Sequence, residues 1–483
     1  MRYQTFLVCK KNLGYSMPDR VDGPSRACLA MTLLAGATLG GCVLAPAGLH
    51  EERAKLEEVG SAYEPPLEKR ALPELFLQPE WRELLARAFA ANGEIEARYF
   101  DWKAALERVA IAAGYPNTNL APSFSYLLSG GQMKAWDRTT VNVGFDPMQN
   151  LSLPGKVRKA GEIALQQARE AGRQFAAAKF ALQRQVLDNW LELALLEERA
   201  RIQQRRVDLA AFTIGSAEQR AVLKGGQRDL LYAQVEQREA QIELAKLQSE
   251  TRASRAMLNG LLARDPDAPL ELGPTLPKAR VLPVDDATLI AAGVDSNPEL
   301  QARTFSVTAR EGMLEFARLQ YLPDFNPFAG FTGSVVGTIG VGVSLPTRLP
   351  QIRAGIREAT ALLSGARAEL RQMKLDRRAS FVAALYVLRF SETELSFLMQ
   401  EVAPSTRSIQ DSMRQSYATG AANFLELIDA QRLLLDVDLA IAEARIERER
   451  RLAEIEQLAG IDIETLAPWT GQQETDVEFH RHE

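Results

Sequence analysis

The sequence predicts an α+β fold built from two copies of one unit, each with a helical stretch, two strands and a very long helical hairpin. Three observations carry this expectation. Ordered motif pairs recur about 200 residues apart, helical patterns run unbroken for roughly 65 residues, and period-two segments precede both runs. Composition agrees. The 483 residues are 46% hydrophobic and 25% charged, which excludes a disordered or collagen-like chain. A mean hydropathy of -0.16 excludes a polytopic helical membrane protein. Aromatic residues are only 7%, which suits long Ala/Leu/Glu/Arg helices better than one large mixed core. Lys+Arg 57 against Asp+Glu 62 gives a net charge of -5, with no bulk nucleic-acid footprint. Cys9, Cys28 and Cys42 all lie near the N-terminus, and His50, His480 and His482 lie toward the ends. Zinc clusters, thiol nucleophiles and histidine triads are therefore unavailable mid-chain, and the chain reads as a non-enzyme with no cofactor.

The N-terminus reads as an address. Residues 1–41 form a leader and signal peptide: Arg20 and Arg26 precede 23 uncharged residues, Ala27 to Leu49. That stretch could span a bilayer by length, but Gly36, Gly40, Gly41, Pro46 and Gly48 interrupt it. Leu39-Gly40-Gly41-Cys42 resembles the lipobox of bacterial lipoproteins, which implies lipid on Cys42; a plain signal peptide would leave Cys42 a stray thiol. Val43 follows instead of an inner-membrane retention Asp, which favours the outer membrane. Met17 would give a more usual signal length.

The first unit takes residues 75–275 after an N-terminal extension, 42–74; the second takes 276–466, leaving a polar tail, 467–483. Asn92-Gly93-Glu94-Ile95 recurs as Asn297-Pro298-Glu299-Leu300, and Pro122-Ser123-Phe124 as Pro323-Asp324-Phe325. Leu151-Ser152-Leu153-Pro154 matches Val343-Ser344-Leu345-Pro346, and Val157-Arg158-Lys159 matches Ile352-Arg353-Ala354. Leu230-Leu231-Tyr232-Ala233-Gln234 answers Leu427-Ile428-Asp429-Ala430-Gln431. The offsets of 205, 201, 192, 195 and 197 residues drift only where loops fall.

Strands are expected at about 121–131, 139–153, 325–333 and 335–346. Ile339, Val341, Val343 and Leu345 alternate with Gly340, Gly342 and Ser344, while Val141, Val143 and Phe145 alternate with Asn142 and Gly144. Such alternation fits one apolar and one wet face, in a membrane or against a soluble core. The long helical regions span about 157–260 and 352–459; their first helices, roughly 65 residues at 1.5 Å each, reach about 100 Å. Pro404 should kink the second copy. Leu427, Leu434 and Ile441 fall seven apart, as do Ala430, Val437 and Ala444, which reads as a coiled-coil seam. A solvated stalk without a channel would show the same seam. Four strands cannot close a membrane barrel, and an open edge in lipid lacks backbone partners, so a spanning chain must close its barrel by assembly. Three chains would give twelve strands, an even number in the bacterial range.

Tyr417-Ala418-Thr419-Gly420, then Leu425-Glu426-Leu427-Ile428-Asp429-Ala430-Gln431, resembles the signature of TolC-type outer-membrane efflux proteins. Asn297-Pro298-Glu299-Leu300 and Leu322-Pro323-Asp324-Phe325 also resemble family positions, and the similarity spans about residues 75–465. The resemblance implies a homotrimer, with a twelve-stranded outer-membrane β-barrel continued by a periplasmic α-helical barrel. It implies a passive exit duct partnered by a periplasmic adaptor and an inner-membrane pump of the RND type, or serving type I secretion. Multidrug export is an alternative substrate reading, and a lipid-anchored coiled-coil scaffold is the alternative from another class. Leu151 to Arg158, with Pro154-Gly155-Lys156 at its centre, resembles a stretch of the heavy-metal branch, although a strand-to-helix turn there needs no substrate.

By the same resemblance, Glu426 and Asp429 face the periplasmic entrance; three apart on a helix, they share a face. A solvated acidic pair on a coiled-coil exterior is the bland reading. Asp229 occupies the Glu426 position in the first copy, and Tyr417 matches the aromatic that tethers neighbouring hairpins. The family's gate arginine is replaced by Ala422, so its closed-state ion pairs do not carry over intact. Thr419, Gly420 and Ala421, with Lys224, Gly225 and Gly226, are expected to meet the adaptor. No metal ligands are expected, and His480-Arg481-His482 reads as a tail.

Overall fold

The computed structural model describes residues 44–461 apart from 77, 116–119, 129–133, 146–150, 225–226, 274–275, 277–279, 281–285, 288, 291–295, 334–335, 420 and 423. The expected leader, Cys42 and the C-terminal tail lie outside the described residues. The order begins α1 (Leu49–Tyr63), α2 (Trp81–Ala91), α3 (Gly93–Ala112), β1 (Leu120–Tyr126), β2 (Thr139–Phe145), α4 (Pro154–Lys224) and α5 (Gln227–Leu261). It continues α6 (Pro298–Leu319), β3 (Asp324–Thr332), β4 (Val336–Ser344), α7 (Leu349–Phe397), α8 (Ala403–Ala418) and α9 (Phe424–Ala459). From α3 onward, the order helix, two strands, long helix, return helix occurs twice, with the long helix of the second run divided into α7 and α8.

The paired asparagines explain part of that. The Asn92 side chain accepts from the backbone N–H of Glu94 at 2.9 Å and of Ile95 at 3.4 Å, capping α3. Asn297 caps α6 by accepting from Leu300 N–H at 2.9 Å, with Pro298 at the helix start, where its missing N–H costs nothing. Each amide also donates back to the end of a hairpin's return helix: Asn92 to the Leu261 carbonyl at 3.5 Å, Asn297 to the Leu458 carbonyl at 2.7 Å. One residue type thus starts a helix and ties down another in both halves.

The four strands form one antiparallel sheet in chain order, β1-β2-β3-β4. Its registers include Phe124 opposite Val141, Asn142 opposite Gly330, and Pro327 opposite Val341. Opposite residues share a face. Pro122, Phe124 and Tyr126 therefore lie on the side of Val141, Phe325, Pro327, Ala329, Ile339, Val341 and Val343. The other face carries Ser123, Ser125, Thr140, Asn142, Asn326, Thr332, Thr338 and Ser344. There Phe328 lies across Gly340 and the Asn142 side chain across Gly330, in space that any Cβ would fill. β3 has the expected length, and the other three strands are shorter than expected. β1 ends at Tyr126 and β4 at Ser344; Leu151 makes only an isolated bridge to Phe325, with N···O distances of 2.9 and 2.7 Å.

α4 runs 71 residues, about 107 Å at 1.5 Å per residue. The expected kink at Pro404 takes a particular form. A π-helical turn over Leu398–Val402 separates α7 from α8, and Pro404 sits at the start of α8, where its lost N–H is absorbed. The seam expected along α9 is corrected. Leu427, Ala430, Val437 and Ala444 are buried, but Leu434 and Ile441 are only half-buried, and the second buried row is Ile428, Leu435 and Ala442. The reason is that α9 packs on α4 as well as α7 and α8, so two of its faces are covered.

The expected N-terminal extension is more than a tether. α1 buries Leu49, Leu56 and Tyr63, and Tyr63 stacks on Tyr99 at 5.2 Å beside Trp102 and Phe175, themselves 5.9 Å apart. A second core joins Phe381, Leu385 and Leu388 of α7 to Leu452 and Ile455 of α9. Beside the first core, the Lys179 ammonium lies 5.2 Å from the Phe89 ring, and burial lowers its pKa from 10.5. Burial thus penalises the charged lysine, and the penalty is full below the lowered folded pKa and fades as pH approaches 10.5. Lys179→Met should therefore stabilise the fold at neutral pH, by less than about 1 kcal/mol because the cation–π contact and residual solvent offset the penalty. The gain should shrink toward pH 10.5 in denaturant titrations.

Candidate functional site

Two places collect the chemistry flagged by the sequence: the junction between sheet and helices, and the tip of the second hairpin. At the junction, Pro154, Gly155 and Lys156 are not the strand-to-helix turn itself but the first turn of α4. Proline is preorganised for a first helical position, so the helix starts three residues earlier than the sequence suggests. The Leu153 carbonyl accepts from Lys156 N–H at 2.8 Å and Val157 N–H at 3.3 Å. A Cβ on Gly155 would meet nothing within 4 Å, so no close approach requires glycine there.

Lys156 is the informative residue. Its side chain is 5% exposed, and Nζ donates to the Asp324 carboxylate at 2.9 Å and to the Leu322 carbonyl at 2.9 Å. The Pro-Gly-Lys stretch of the first half is thus clamped onto the Leu-Pro-Asp-Phe stretch of the second. Both motifs stood out in the sequence, but nothing there paired them, because 168 residues separate the two side chains. A groove of about 620 Å³ opens beside them, lined also by Arg348, which precedes α7, and by Gln351 of α7.

At the tip, Thr419 closes α8. Its N–H donates to the Gln415 carbonyl at 3.0 Å, and its hydroxyl donates to the carbonyls of Gln415 and Ser416, each at 3.1 Å. Ala421 and Ala422 N–H both return to the Ser416 carbonyl, at 2.8 and 3.1 Å. Thr419, Ala421 and Tyr417 are exposed. Gly420, Gly225 and Gly226 lie outside the described residues; Lys224 ends α4 and Asp229 lies in the first turns of α5. Glu426 stands exposed in the first turn of α9, where the helix dipole favours a carboxylate.

Asp429 is exposed and accepts from Arg432 Nη1 at 3.2 Å, while Arg432 Nη2 donates to Glu236 of α5. This arginine, which the sequence reading passed over, ties the two hairpins of one chain; the three-residue spacing from Asp429 was the signal that could have found it. Beside it lies a groove of about 410 Å³ holding Arg206, paired to Asp436, with Glu239 and Glu243. Farther up the same α4–α9 seam, Arg205 pairs with Asp438 at 3.2 Å and Arg199 with Glu443 at 2.8 Å. Among the described residues no three His, Cys, Asp or Glu side chains gather as a metal site, and no helix is long and apolar enough to cross a membrane.

Comparison with known proteins bears on both places. Residues 289–461 match the family model of the outer membrane efflux protein. The cobalt-zinc-cadmium resistance protein CzcC of Cupriavidus metallidurans is 23% identical over 291 residues, 59% of this chain and 69% of that one. The outer-membrane channel OprN shares the fold with a TM-score of 0.65 at 18% identity, over 83% of this chain and 96% of that one. CusC, a transmembrane channel, does so with a TM-score of 0.64 at 15% identity, over 82% and 99%. The MtrE outer membrane channel of Neisseria gonorrhoeae gives 0.64 at 18%, over 81% and 92%. The family and these structural neighbours are outer-membrane proteins and channels, not enzymes.

Removing the Lys156 charge should leave Asp324 and the Leu322 carbonyl without their donor. Lys156→Met is expected to destabilise the fold by about 2–4 kcal/mol, discounted from a fully buried pair because Asp324 keeps some solvent. Asp324→Asn should cost less. Chemical denaturation of the purified variants checks the order.

Proposed function

We propose that this chain, whose residues 289–461 match the outer membrane efflux protein family, is the passive exit duct of a tripartite export system, with three copies building one channel. The observation that carries the reading is the sheet. It has one apolar face, one small and polar face, and, among the described residues, unpaired outer edges on β1 and β4. In lipid, unpaired backbone groups cost several kcal/mol each, so both edges must meet other strands. The helices extend the same demand. In order of packing they run α3, α4, α6, α7, so α3 and α7 are edge helices like β1 and β4. These edges, and α5 packed on α4, carry exposed apolar side chains: Phe100 and Ile111 on α3, Leu231 and Ile242 on α5, Tyr386 and Phe390 on α7. One edge of a copy fits the other edge of the next, a heterologous contact that closes into a ring.

In that ring the apolar sheet face meets lipid and the polar face lines the lumen. The tips then converge in the periplasm. Glu426 and Asp429 of each copy surround the entrance with negative charge, which favours cations, and Arg432, on the same helix as Asp429, joins it to Glu236 of the neighbouring hairpin. Tyr417 and Asp229 sit at the same level. Thr419, Gly420 and Ala421, with Lys224, Gly225 and Gly226, meet the adaptor, and an inner-membrane RND pump supplies the energy. Lipid on Cys42 anchors the chain. Heavy-metal cations are the proposed cargo, supported by the likeness to CzcC and by the acidic tip.

The purified chain should run as a heat-dissociable trimer and conduct in planar bilayers. A monomer without conductance would instead identify a lipid-anchored scaffold. Glu426→Gln with Asp429→Asn should move the reversal potential in a salt gradient toward zero; an unchanged value removes both residues from the entrance. A strain lacking the gene should lose metal tolerance and regain it on complementation. Sensitivity to dyes and antibiotics instead would make the cargo organic. Cys42→Ala should abolish labelled-palmitate incorporation.

A further inference from the structure

We propose that Phe328 sets the bore of the strand-built part of the channel, and that Gly340 and Gly144 are glycines because they give its ring a place to lie against the wall. This role rests on the three-copy duct and names what limits the cargo beyond the entrance. Charge plays no part in that stretch. Among the described strand residues only Asp324 is charged, and Lys156 Nζ holds it at 2.9 Å. The rest of the polar face is Ala, Ser, Thr, Asn and Gly, with Phe328 the one large group among its described side chains. A wall without charged rings does not sort ions by sign, so selection there is by size.

Few atoms decide that size. A closed barrel of about eight strands is filled by its own side chains, whereas one of about sixteen leaves an open aqueous channel. Three copies of this four-stranded sheet fall between the two, so the reach of one bulky side chain per copy sets the free width. Symmetry places the three Phe328 rings at one height.

The ring is held back. Phe328 lies opposite Gly340 on β4 and opposite Gly144 on β2, so both cross-strand neighbours on its face lack a Cβ. A Cβ on Gly340 would stand 2.8 and 3.0 Å from Cε1 and Cε2 of the ring, in space its outer end already fills. Phe328 is still 42% exposed, so the ring both covers the neighbouring strand and meets the wet side of the sheet. Glycine inside a strand loses packing and chain entropy, and a close approach of this kind accounts for it. An aromatic ring laid over the glycine recovers part of that loss. Gly342 lies two residues on and faces the same side of β4, yet a Cβ there would make only ordinary contacts, 3.4 Å to the Asn326 carbonyl oxygen and 3.6 Å to its Cβ. The two glycines therefore separate the effect of moving the ring from that of merely adding a methyl group.

The test is polymer exclusion by the purified full-length protein in planar bilayers. Neutral polyethylene glycols of graded size are added on the sheet side, and the single-channel current shows which of them enter. Phe328→Ala should shift the size limit upward. Gly144→Ala with Gly340→Ala removes both resting places, turns the ring into the lumen and should shift the limit downward. Adding Phe328→Ala to that pair should restore entry, while Gly342→Ala should leave the limit where it is. If Phe328→Ala does not assemble, the glycine pair measured against Gly342→Ala decides. A wild type that conducts, with the same limit in Phe328→Ala and in the glycine pair, overturns the role of Phe328 and leaves the duct standing. A wild type that passes no current overturns the duct and this role together.

Discussion

Backbone groups that the chain cannot satisfy alone govern the rest of this structure. A four-stranded sheet in sequential order leaves one side of β1 and one side of β4 without partners among the described residues. With an apolar face turned away from the core, those edges cannot simply be wetted. The helices that continue the edge strands inherit the problem as exposed Tyr386, Phe390 and Ile111. Everything that fixes the relative positions of the two halves also decides whether two edges of neighbouring copies can meet in register.

That positioning is done by a few polar clamps spanning the halves. Lys156 holds the start of α4 to the start of β3 through Asp324 and the Leu322 carbonyl. The arginine–carboxylate pairs between α4 and α9 fix the long helices farther down, and Arg432 does the same near the tip. Exposed members of this series contribute little each; their value lies in register. Higher up, Arg280 joins Glu449 and Glu456 at 3.0 and 2.9 Å, and Arg448 bridges Glu449 to Glu392 of α7. Below that buried network α7 gives way to the π-helical turn, and among the described side chains α8 buries only Ala403 and Thr406. Firm packing above and sparse packing below the turn concentrate freedom of movement at the tip.

The heavy-metal reading gains its chemistry from the acidic tip rather than from ligands. A duct that passes hydrated cations needs favourable potential without tight coordination, since binding must be weak enough to release. In the proposed ring, exposed Glu426 and Asp429 would provide such a potential. Lys156, which the sequence flagged beside the metal-branch stretch, is buried in an ion pair and acts on architecture, not cargo.

The sequence by itself determined which elements form and on which faces they are apolar. Period-two alternation along β4, the uninterrupted run of α4 and the capping asparagines Asn92 and Asn297 are local properties, set by backbone geometry within a few residues. Pro404 likewise announced a disturbance, though its form, a π turn just upstream, depended on how a long helix absorbs a missing N–H. Only the tertiary structure decided what those elements meet. The partners of Lys156, the tie from Arg432 to Glu236 and the shifted seam of α9 join residues distant in sequence, and no spacing rule connects them. The core role of α1 was hidden for the same reason: its sparse apolar residues become a buried row only when α3 and α4 supply Tyr99 and Phe175 to cover them.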